Sequence, residues 1–463
     1  MTAPGPLRVE KIGGTTMSRF DEVLHNVILR NKDDIYNRIY VVSAYGGITN
    51  ELLEHKKTGQ PGIYQTFIHG EHYEPAIERL QKKLRRINLN FEKIGLDVEI
   101  ANSFICERIE ETVKILRSMD NVLGSGYLTK NEVMPAAREL LASIGEMHSA
   151  FNSANILQNQ GYNATFVDLS GWQDRVERSI DERIACTFKS LDPSTTICIA
   201  TGYTKGTEGI MREFDRGYSE VTFSKIAVQL KAVEAVIHKE YHLCSCDPLI
   251  IGKDKVHPVG RTNYDVADQL ADVGMEAIHP KASKPLETAG IAIRMKNAFD
   301  PDHAGTLITT DFICPSSKTE IITGSDKVTC LAIHDTRMVG EVGFDMKIME
   351  VLQRHGVSYI NKATNANTID VIIYDKDCKK SLLNELRAMF EDVNTMKVSI
   401  VCAIGSNIAK PGILAKAAAA LASEDINILS VSQTSRQTNM QFTVKREQFI
   451  SAQKVLHHAL CVE

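Results

Sequence analysis

The chain lacks the features that would place it at a membrane or on nucleic acid. None of its apolar runs approaches the roughly 20 residues of a membrane-spanning helix, and its first residues lack the charged-then-apolar pattern of a signal peptide. Its 53 lysines and arginines are outnumbered by 58 aspartates and glutamates, which gives a net charge of -5. A generally basic surface is therefore excluded. We expect a cytoplasmic protein that binds neither nucleic acid nor membrane.

Two further motifs are missing. The ten cysteines include no C-x-x-C pair, so buried thiols are expected rather than disulfides. No G-x-x-x-x-G-K-[ST] phosphate loop occurs either. With 43% hydrophobic and 24% charged residues, the composition is nevertheless that of an ordinary globular protein.

The N-terminal part has the pattern of an α/β domain. The extended segments Leu7–Ile12 and Arg38–Ala44 each run into a glycine pair, as buried parallel strands commonly do before a turn. A long helix is predicted over Asn131–Gln160 behind a Thr129 cap, with Pro135 in its first turn. Another helix is predicted over Ser219–Lys239.

After a linker rich in Pro, Gly and Ser at 301–317, the pattern changes to short strand and helix blocks that occur twice. Segments Val328–His334 and Asp345–His355 begin the first copy, and Val398–Ile404 and Pro411–Glu424 begin the second. A tandem of small α+β modules is the simplest account. We expect a catalytic domain at 1–307 and two modules at 318–394 and 395–463.

Glycine loops after the first two strands could hold phosphate. Lys11 adjoins Gly13, Gly14 and Thr15, and Ser43 and Thr49 flank the second loop. Backbone amides without Cβ obstruction, hydroxyl donors and a lysine charge suit an anion. Two tight turns at strand ends are the alternative, but their occurrence on neighbouring strands favours a shared site.

Two charged residues stand out further along the chain. Glu146 follows a glycine inside an apolar helical stretch, which would let a ligand or another backbone approach its carboxylate. Arg216 lies in an Arg-Gly-Tyr-Ser219 turn before a helix, where its guanidinium could hold a carboxylate or phosphate. An exposed glutamate and an N-cap by Ser219 are the plainer interpretations.

The run from His238 to Cys246 offers an alternative zinc site. It contains His238, His242, Cys244 and Cys246, all of which are residue types that bind zinc. The spacing matches no closed four-ligand pattern, and half of the run has the character of a buried strand. We therefore predict no metal site here.

Taken together, the ordered motifs resemble those of the aspartokinase family of the amino-acid kinase superfamily. Lys11-Ile-Gly-Gly-Thr15 resembles K-F-G-G-T, and Val42-Ser-Ala-Tyr-Gly-Gly-Ile-Thr-Asn50 resembles V-S-A-x-x-G-x-T-N. Ser143-Ile-Gly-Glu146, Thr201-Gly-Tyr203 and Arg216-Gly-Tyr-Ser219 resemble S-x-G-E, T-x-G-F and R-G-G-S-D. The repeats resemble paired ACT domains, and the likeness covers almost the whole chain from residue 8.

The resemblance implies an αβα parallel-sheet sandwich followed by two ferredoxin-like ACT modules. It also implies transfer of the γ-phosphoryl group of ATP, with Mg²⁺, to the side-chain carboxylate of L-aspartate. Lys11, Gly13, Gly14 and Thr15 would then act on the transferred group. The substrate would be held by Ser43, Thr49, Glu146, Tyr203, Arg216 and Ser219, with Glu146 at its amino group and Arg216 at its α-carboxylate.

The nucleotide half departs from the family pattern. His238 and Lys239 stand where many aspartokinases have Thr-Asp, Glu220 replaces the Asp of R-G-G-S-D, and Glu276 replaces a later Lys. By position, Gly13, Gly14, Glu220, His238 and Lys239 would face the nucleotide. The usual adenine and phosphate contacts stay unassigned, with Lys239, Lys253 or Lys255 as the residues that could replace them. The unusual start and the His238 run are similar to the aspartokinase subgroup associated with ectoine synthesis.

The paired ACT modules imply a homodimer or homotetramer with an amino-acid effector, commonly lysine or threonine. We expect no fused homoserine dehydrogenase, because no G-x-G-x-x-G unit follows the repeats. Two alternatives stay open: a kinase of another small acid, such as glutamate or N-acetylglutamate, and a catalytically silent amino-acid sensor. Retention of Lys11, Glu146 and Arg216 argues against the sensor.

Overall fold

The computed structural model describes residues 6–56, 58–275 and 278–462. It divides into two compact units. The first comprises Met1–His242 and His279–Gly305, and the second comprises Leu243–Ile278 and Thr306–Glu463. Along the described part of the chain, no helix combines the length and the apolar character that crossing a membrane requires.

The elements are numbered here in chain order. The strands are β1 Arg8–Ile12, β2 Arg38–Val42, β3 Ala164–Val167, β4 Ile197–Thr201, β5 Glu234–Lys239, β6 Arg261–Asn263, β7 Ala292–Asn297, β8 Thr306–Thr309, β9 Ile321–His334, β10 Tyr359–Thr364, β11 Thr368–Tyr374, β12 Asp392–Ile404, β13 Ser430–Gln433 and β14 Asn439–Lys445. The α-helices are α1 Gly14–Met17, α2 Phe20–Val23, α3 Ile48–Leu52, α4 Ile63–Ile68, α5 Glu74–Phe91, α6 Val98–Gly124, α7 Lys130–Asn159, α8 Ile180–Phe188, α9 Ile210–Phe214, α10 Tyr218–Gln229, α11 Pro248–Ile251, α12 Tyr264–Asp272, α13 Pro280–Thr288, α14 Phe344–Arg354, α15 Lys380–Met389, α16 Ile413–Ser423 and α17 Phe449–Cys461.

The first unit is built on a parallel sheet. Its strands run in the order β3-β4-β2-β1-β5-β7, and every pairing among them is parallel. All five residues of β2 and of β4 are buried, as expected of parallel strands covered by helices on both faces. This is the α/β architecture that the sequence predicts.

Helix α7 confirms one prediction and corrects a detail of it. A capping box joins Thr129 and Glu132 at its start, which satisfies amide groups that a helix leaves without partners. Pro135, however, lies inside the helix rather than in the first turn. The prediction of a first-turn proline was therefore wrong by one turn.

The helix predicted over Ser219–Lys239 was wrong in its second half. Helix α10 ends at Gln229, Lys231 takes a left-handed backbone conformation (φ 52°), and the chain then continues as strand β5. Ser219 is also not the N-cap, because Gly217 occupies that position without a side-chain cap.

The second unit contains an antiparallel sheet in the order β10-β11-β9-β12-β14-β13. The repeated strand and helix plan is confirmed in both copies, with α14 and α15 in the first and α16 and α17 in the second. A short parallel pair, β6 with β8, belongs to the same unit.

Two long strands run through both modules of this sheet. The second half of β9, Val328–His334, pairs with the start of β12, whereas its first half, Ile321–Ser325, pairs with the end of β12. The cores follow the same exchange. Val393 of β12 packs in the first module, and Ile322 of β9 packs in the second.

Candidate active site

The ends of four parallel strands meet at one edge of the first unit's sheet. Ile12 at the end of β1 is in register with Val42 of β2 and with His238 of β5, and Val42 is in register with Thr201 of β4. The loops that follow these strands therefore leave the sheet together, at the edge where open α/β sheets bind ligands.

The Gly13-Gly14 turn is packed tightly against the loop after β2. A Cβ at Gly14 would lie 2.6 Å from the carbonyl oxygen of Ala44, whereas a Cβ at Gly13 would lie 3.6 Å from its nearest neighbour, the carbonyl oxygen of His238. Only glycine fits at position 14. The first amides of α1 have no helical acceptors, as at any helix start, whereas the amide of Gly13 donates to the carbonyl oxygen of His238 at 3.3 Å. The role predicted for the Gly13 amide as an anion donor is therefore not supported.

Lys11 makes a buried ion pair with Glu220 of α10. Its Nζ lies 2.8 Å from Oε1 of Glu220, and the other carboxylate oxygen accepts from the backbone N–H of His279 at 2.5 Å. Burial raises the pKa of Glu220, but the charges of Lys11 and Lys239 and the hydrogen bonds outweigh it and lower the pKa to about 2. The Glu220 carboxylate is thus ionised and holds Lys11 at the sheet edge.

Glu146 lies on α7 beside this pair. Its neighbour Gly145 allows the close packing anticipated from the sequence, because a Cβ there would lie 2.6 Å from the Cβ of Ala44. Glu146 is only 2% exposed and accepts a hydrogen bond from the hydroxyl of Tyr218 at 2.9 Å. Burial raises the pKa of Glu146 to about 8, although Tyr218, the amide of Ala44 and Lys11 oppose the rise.

Hydroxyl groups line the gap between β2 and α10. Oγ of Ser43 lies 3.3 Å from Oγ of Ser219, and Thr49 contacts the hydroxyl of Tyr218. The loop carrying Ser43 is fixed by the hydroxyl of Ser149, which donates to its carbonyl oxygen at 3.0 Å. The structure therefore brings Ser43, Thr49 and Ser219 together with Glu146.

Arg216 binds the segment that follows α3. Its guanidinium donates to Oδ1 of Asn50 at 2.6 Å, to the carbonyl oxygen of Glu54 and to Oε1 of Glu54 at 3.3 Å. Its Nε is buried and has no hydrogen-bond partner among the residues that the structure describes. Glu54 is shared, because Arg138 donates to both of its carboxylate oxygens at 2.9 and 3.0 Å.

Tyr203, after β4, is held by Glu139. Its hydroxyl donates to Oε2 of Glu139 at 2.8 Å, while Oε1 accepts from the backbone of Met211 at the start of α9. These groups line a cavity of about 480 Å³ that also includes Ser143 and Lys205. Tyr203 thus closes one side of a recess next to the Glu146 cluster.

The two predicted nucleotide residues of β5 face in opposite directions. Lys239 contributes charge to Glu220, so it belongs to the Lys11 side of the sheet. His238 instead contacts Glu10, with Nε2 2.6 Å from Oε2. Side chains alternate along a strand, so the structure does not bring His238 into the cluster around Lys11.

The alternative zinc site has no support in the structure. His238 contacts Glu10, and His242 lies 2.9 Å from Asp300. Within the described ranges, no group of three or more His, Cys, Asp or Glu could hold a metal ion. All ten cysteines are free. Glu276, one of the departures from the family pattern, lies outside the described residues.

Two residues of the site were missed in the sequence. Tyr218 stands where R-G-G-S-D has its second glycine, and this substitution was the available signal. Glu139 gave none, because it precedes the S-x-G-E motif by one helical turn on α7 and reads as an ordinary helix-surface glutamate. Each accepts or donates a hydrogen bond inside the cluster.

A parallel sheet with glycine turns at its carboxyl edge and a Lys–Glu pair beside them is the arrangement that indicates the structural class of this protein. A model of the amino acid kinase family matches residues 6–297, and an ACT domain model matches residues 401–460. The chain belongs to the amino acid kinase family. Within it, the chain is an aspartate kinase family member: it is 43% identical to aspartate kinase Ask_Ect of Stutzerimonas stutzeri (strain A1501) over 98% of this chain and 97% of that protein.

More distant relatives are also aspartokinases. Aspartokinase 1, chloroplastic, of Arabidopsis thaliana is 24% identical over 97% of this chain and 79% of its own length. Among solved structures, E. coli aspartokinase III in complex with aspartate and ADP (R-state) superposes with a TM-score of 0.75 at 21% identity, covering 98% of this chain and 99% of that one. The same enzyme with lysine and aspartate (T-state) gives a TM-score of 0.70 at 20% identity, with 98% and 99% coverage. These structures establish the same fold.

Proposed function

We propose that this protein transfers the γ-phosphoryl group of ATP to the β-carboxylate of L-aspartate, giving 4-phospho-L-aspartate. The observation that carries the proposal is the convergence of Lys11, Glu146 and the Gly13-Gly14 turn at one sheet edge. Family membership and the 43% identical aspartate kinase support it.

The chemistry requires alignment and charge stabilisation more than a base. The side-chain carboxylate of aspartate is ionised at neutral pH, so it is already a nucleophile. Lys11 neutralises charge on the transferred phosphoryl group, and the amide of Gly14 and the hydroxyl of Thr15 cradle it. Lys239 adds a second positive charge near the phosphates, and Glu220 positions Lys11.

The aspartate backbone groups are recognised by opposite charges. Glu146 receives the α-ammonium group, which favours the ionised carboxylate and lowers the raised pKa that burial causes. Arg216 clamps the α-carboxylate after exchanging its contacts to Asn50 and Glu54 for the substrate. Ser43, Thr49, Tyr203 and Ser219 complete the polar lining.

Nucleotide and Mg²⁺ fit the residues present. The first amides of α1 and the lysines suit phosphate oxygens, whereas Glu220 has both oxygens occupied by Lys11 and the His279 amide. Mg²⁺ commonly keeps several waters and binds through substrate phosphates. It would therefore arrive with ATP, where it neutralises phosphate charge.

We also propose a catalytic domain at 1–307 and ACT modules at 318–394 and 395–463, with the long strands β9 and β12 each extending into the sheet of the other module. We further propose assembly as a homodimer or homotetramer through the ACT modules, and an amino-acid effector at those modules. A role in ectoine synthesis is supported by the relative Ask_Ect. Light scattering coupled to size-exclusion chromatography measures the number of subunits. A monomeric protein would contradict the proposed homodimer or homotetramer.

The central test is an ATP- and Mg²⁺-dependent assay with L-aspartate in which hydroxylamine traps the acyl phosphate. Turnover with L-aspartate and not with L-glutamate or N-acetyl-L-glutamate supports the assignment. Repeating the assay with lysine, threonine and both identifies feedback, and turnover that neither changes favours the specialised pathway. No turnover, with aspartate still raising thermal stability, would favour the silent sensor.

A further inference from the structure

A charged cavity lies on the sheet face opposite the Lys11 cluster. Its volume is about 420 Å³, and residues of β1, β5 and β7 form its floor. Because side chains alternate along β1, Glu10 points into this cavity while Lys11 points to the other face. None of the roles assigned to the catalytic cluster uses this space.

The floor of the cavity is a buried polar network. Glu10 is 2% exposed and accepts two hydrogen bonds from Arg38, at 2.5 and 2.9 Å, and a contact from Nε2 of His238 at 2.6 Å. Burial raises the pKa of Glu10, but Arg38 and His238 together hold it well below its usual range. The ionised carboxylate therefore fixes the proton of His238 on Nε2.

The other nitrogen of His238 lacks a partner. His238 is 4% exposed and lines the cavity, and among the described residues its Nδ1, itself a buried atom, has no hydrogen-bond partner. Buried polar atoms are nearly always paired. With the ring proton on Nε2, Nδ1 can only accept a hydrogen bond, so the partner that suits it is a hydroxyl donor and not an anionic oxygen.

Positive charge exceeds negative charge around the cavity. Of the described residues, five arginine or lysine side chains line it against three carboxylates. Glu10 is paired with Arg38, Asp34 with Arg8, and Glu234 with an arginine of β7. No carboxylate remains in the lining to balance the rest.

Lys296 and Arg30 carry this surplus. The amine of Lys296 is 3.5 Å from the carbonyl oxygen of Pro301, and among the described residues it has no ion-pair partner. Burial lowers the pKa of Lys296, and the nearby charge of Arg30 adds to the effect. Arg30 itself pairs with Asp302, whose side chain is 91% exposed, a contact that solvent weakens.

We propose that this cavity binds a small multivalent anion carrying phosphate or carboxylate groups. Lys296 and Arg30 would contact its charged oxygens, and a ligand hydroxyl that reaches the floor would donate to Nδ1 of His238. A bound anion balances the charge of Lys296, which has no ion-pair partner among the described residues. The volume accommodates a molecule larger than one phosphate ion.

The test is titration calorimetry of the full-length protein with inorganic phosphate and, separately, with citrate. The variants are Lys296→Gln in the cavity and Lys11→Gln in the catalytic cluster, which is the other place where an anion could bind. We expect the Lys296→Gln variant to lose about tenfold or more in affinity, the worth of one charge-assisted contact. The Lys11→Gln variant keeps the cavity's affinity.

Asp302→Asn gives a change of opposite sign. It frees Arg30 from its carboxylate, so the affinity for the anion should rise severalfold while the fold is untouched. Thermal unfolding of Lys296→Gln without ligand checks that the cavity persists. Preference for phosphate or for citrate identifies the ligand chemistry, and either preference supports the site.

Three results would overturn the proposal. They are no binding of either probe to the unaltered protein, equal affinity in the Lys296→Gln variant, or loss of binding in the Lys11→Gln variant alone. The last would place the anion at the catalytic cluster. Because these measurements need neither ATP nor aspartate, they are independent of whether the proposed kinase reaction occurs.

Discussion

Nζ of Lys11 and Oε1 of Glu220 lie 2.8 Å apart at the carboxyl edge of the sheet. The pair joins the first strand of the chain to helix α10, across 209 residues of sequence. Because Glu220 is also fixed by the His279 amide, it holds the lysine amine at the sheet edge, where we propose that the phosphoryl group is transferred.

Replacing Lys11 by Met should lower kcat by about 100- to 1,000-fold, the usual cost of removing one electrostatic contact to a developing charge. The hydroxylamine assay measures the loss. Lys225→Met is the matched control, because Lys225 lies on α10 but pairs with Asp181. It should leave kcat unchanged.

Loss of Lys11 also leaves Glu220 as a buried charge with fewer partners. The double variant Lys11→Met/Glu220→Gln should therefore recover thermal stability without recovering turnover. Normal turnover in Lys11→Met would contradict the assigned role.

The activity should depend on the ionisation of Glu146. Burial raises its pKa to about 8, so the carboxyl is protonated at lower pH and becomes the charged partner of an ammonium group as the pH rises. We expect kcat/KM for aspartate to increase through this range, since that parameter reports the free enzyme. Tyr218→Phe removes a hydrogen bond that holds the pKa down, and should move the midpoint to higher pH.

Tyr203→Phe serves as the control for that shift, because the Tyr203 hydroxyl binds Glu139 instead. Its midpoint should stay in place. An equal shift in both variants would show that Tyr218 has no special link to Glu146.

The same carboxyl predicts a dependence of stability on pH. Its folded-state pKa lies above the unfolded value, so the stability that it contributes is present at low pH and is lost as pH rises toward about 8. Glu146→Gln cannot ionise. Its free energy of unfolding, relative to the unaltered protein, should therefore increase by about 4 kcal/mol between about pH 4.5 and pH 8, at roughly 1.4 kcal/mol per pKa unit, as denaturant titrations at several pH values would measure. A constant difference would refute the raised pKa.

Arg216→Lys should raise the KM for aspartate about tenfold or more with a smaller effect on kcat, because lysine cannot make the paired contacts of a guanidinium. Steady-state kinetics with aspartate and ATP varied separately measure the change. The KM for ATP should stay nearly constant. A change confined to ATP would place Arg216 at the nucleotide instead.

The glycine turn offers a comparison between adjacent positions. Gly14→Ala places a Cβ 2.6 Å from the Ala44 carbonyl oxygen, whereas Gly13→Ala has 3.6 Å to its nearest neighbour. We expect Gly14→Ala to lose about 1–3 kcal/mol of unfolding free energy and Gly13→Ala much less, as measured by chemical denaturation. Equal losses would mean that the close contact with the Ala44 loop is unimportant.

Local patterns predicted most of the fold. The strand predicted at Leu7–Ile12 is β1, and the repeated C-terminal blocks have the predicted order. The error at Ser219–Lys239 arose because Ala, Val and Ile continue past Gln229 and suit either a helix or a strand. The reversal at Lys231, which has φ 52°, carries no glycine signal. Pairing with β1 and β7 then decides the conformation.

The sequence predicted those candidate site residues that lie within short contiguous motifs. It did not predict contacts between residues that are far apart in the chain. Lys11, Glu146 and Ser219 were recognised within short motifs. The partners of Arg216, however, lie 162–166 residues away in sequence, and no periodicity indicates such a pairing. The surroundings of His238 depend on which face of β5 it occupies. Because this segment was predicted as a helix, that face could not be predicted.

The exchange between β9 and β12 also sets an order of events during synthesis. As the chain leaves the ribosome, Ile321–Ser325 emerges early, yet its partner strand at Ile400–Ile404 is made about 75 residues later. The first module likewise waits for Asp392–Val398 before its sheet is complete. Neither module can complete its sheet from its own segment of the chain alone. A gene cut between the two modules would therefore yield two incomplete halves rather than two modules that fold separately.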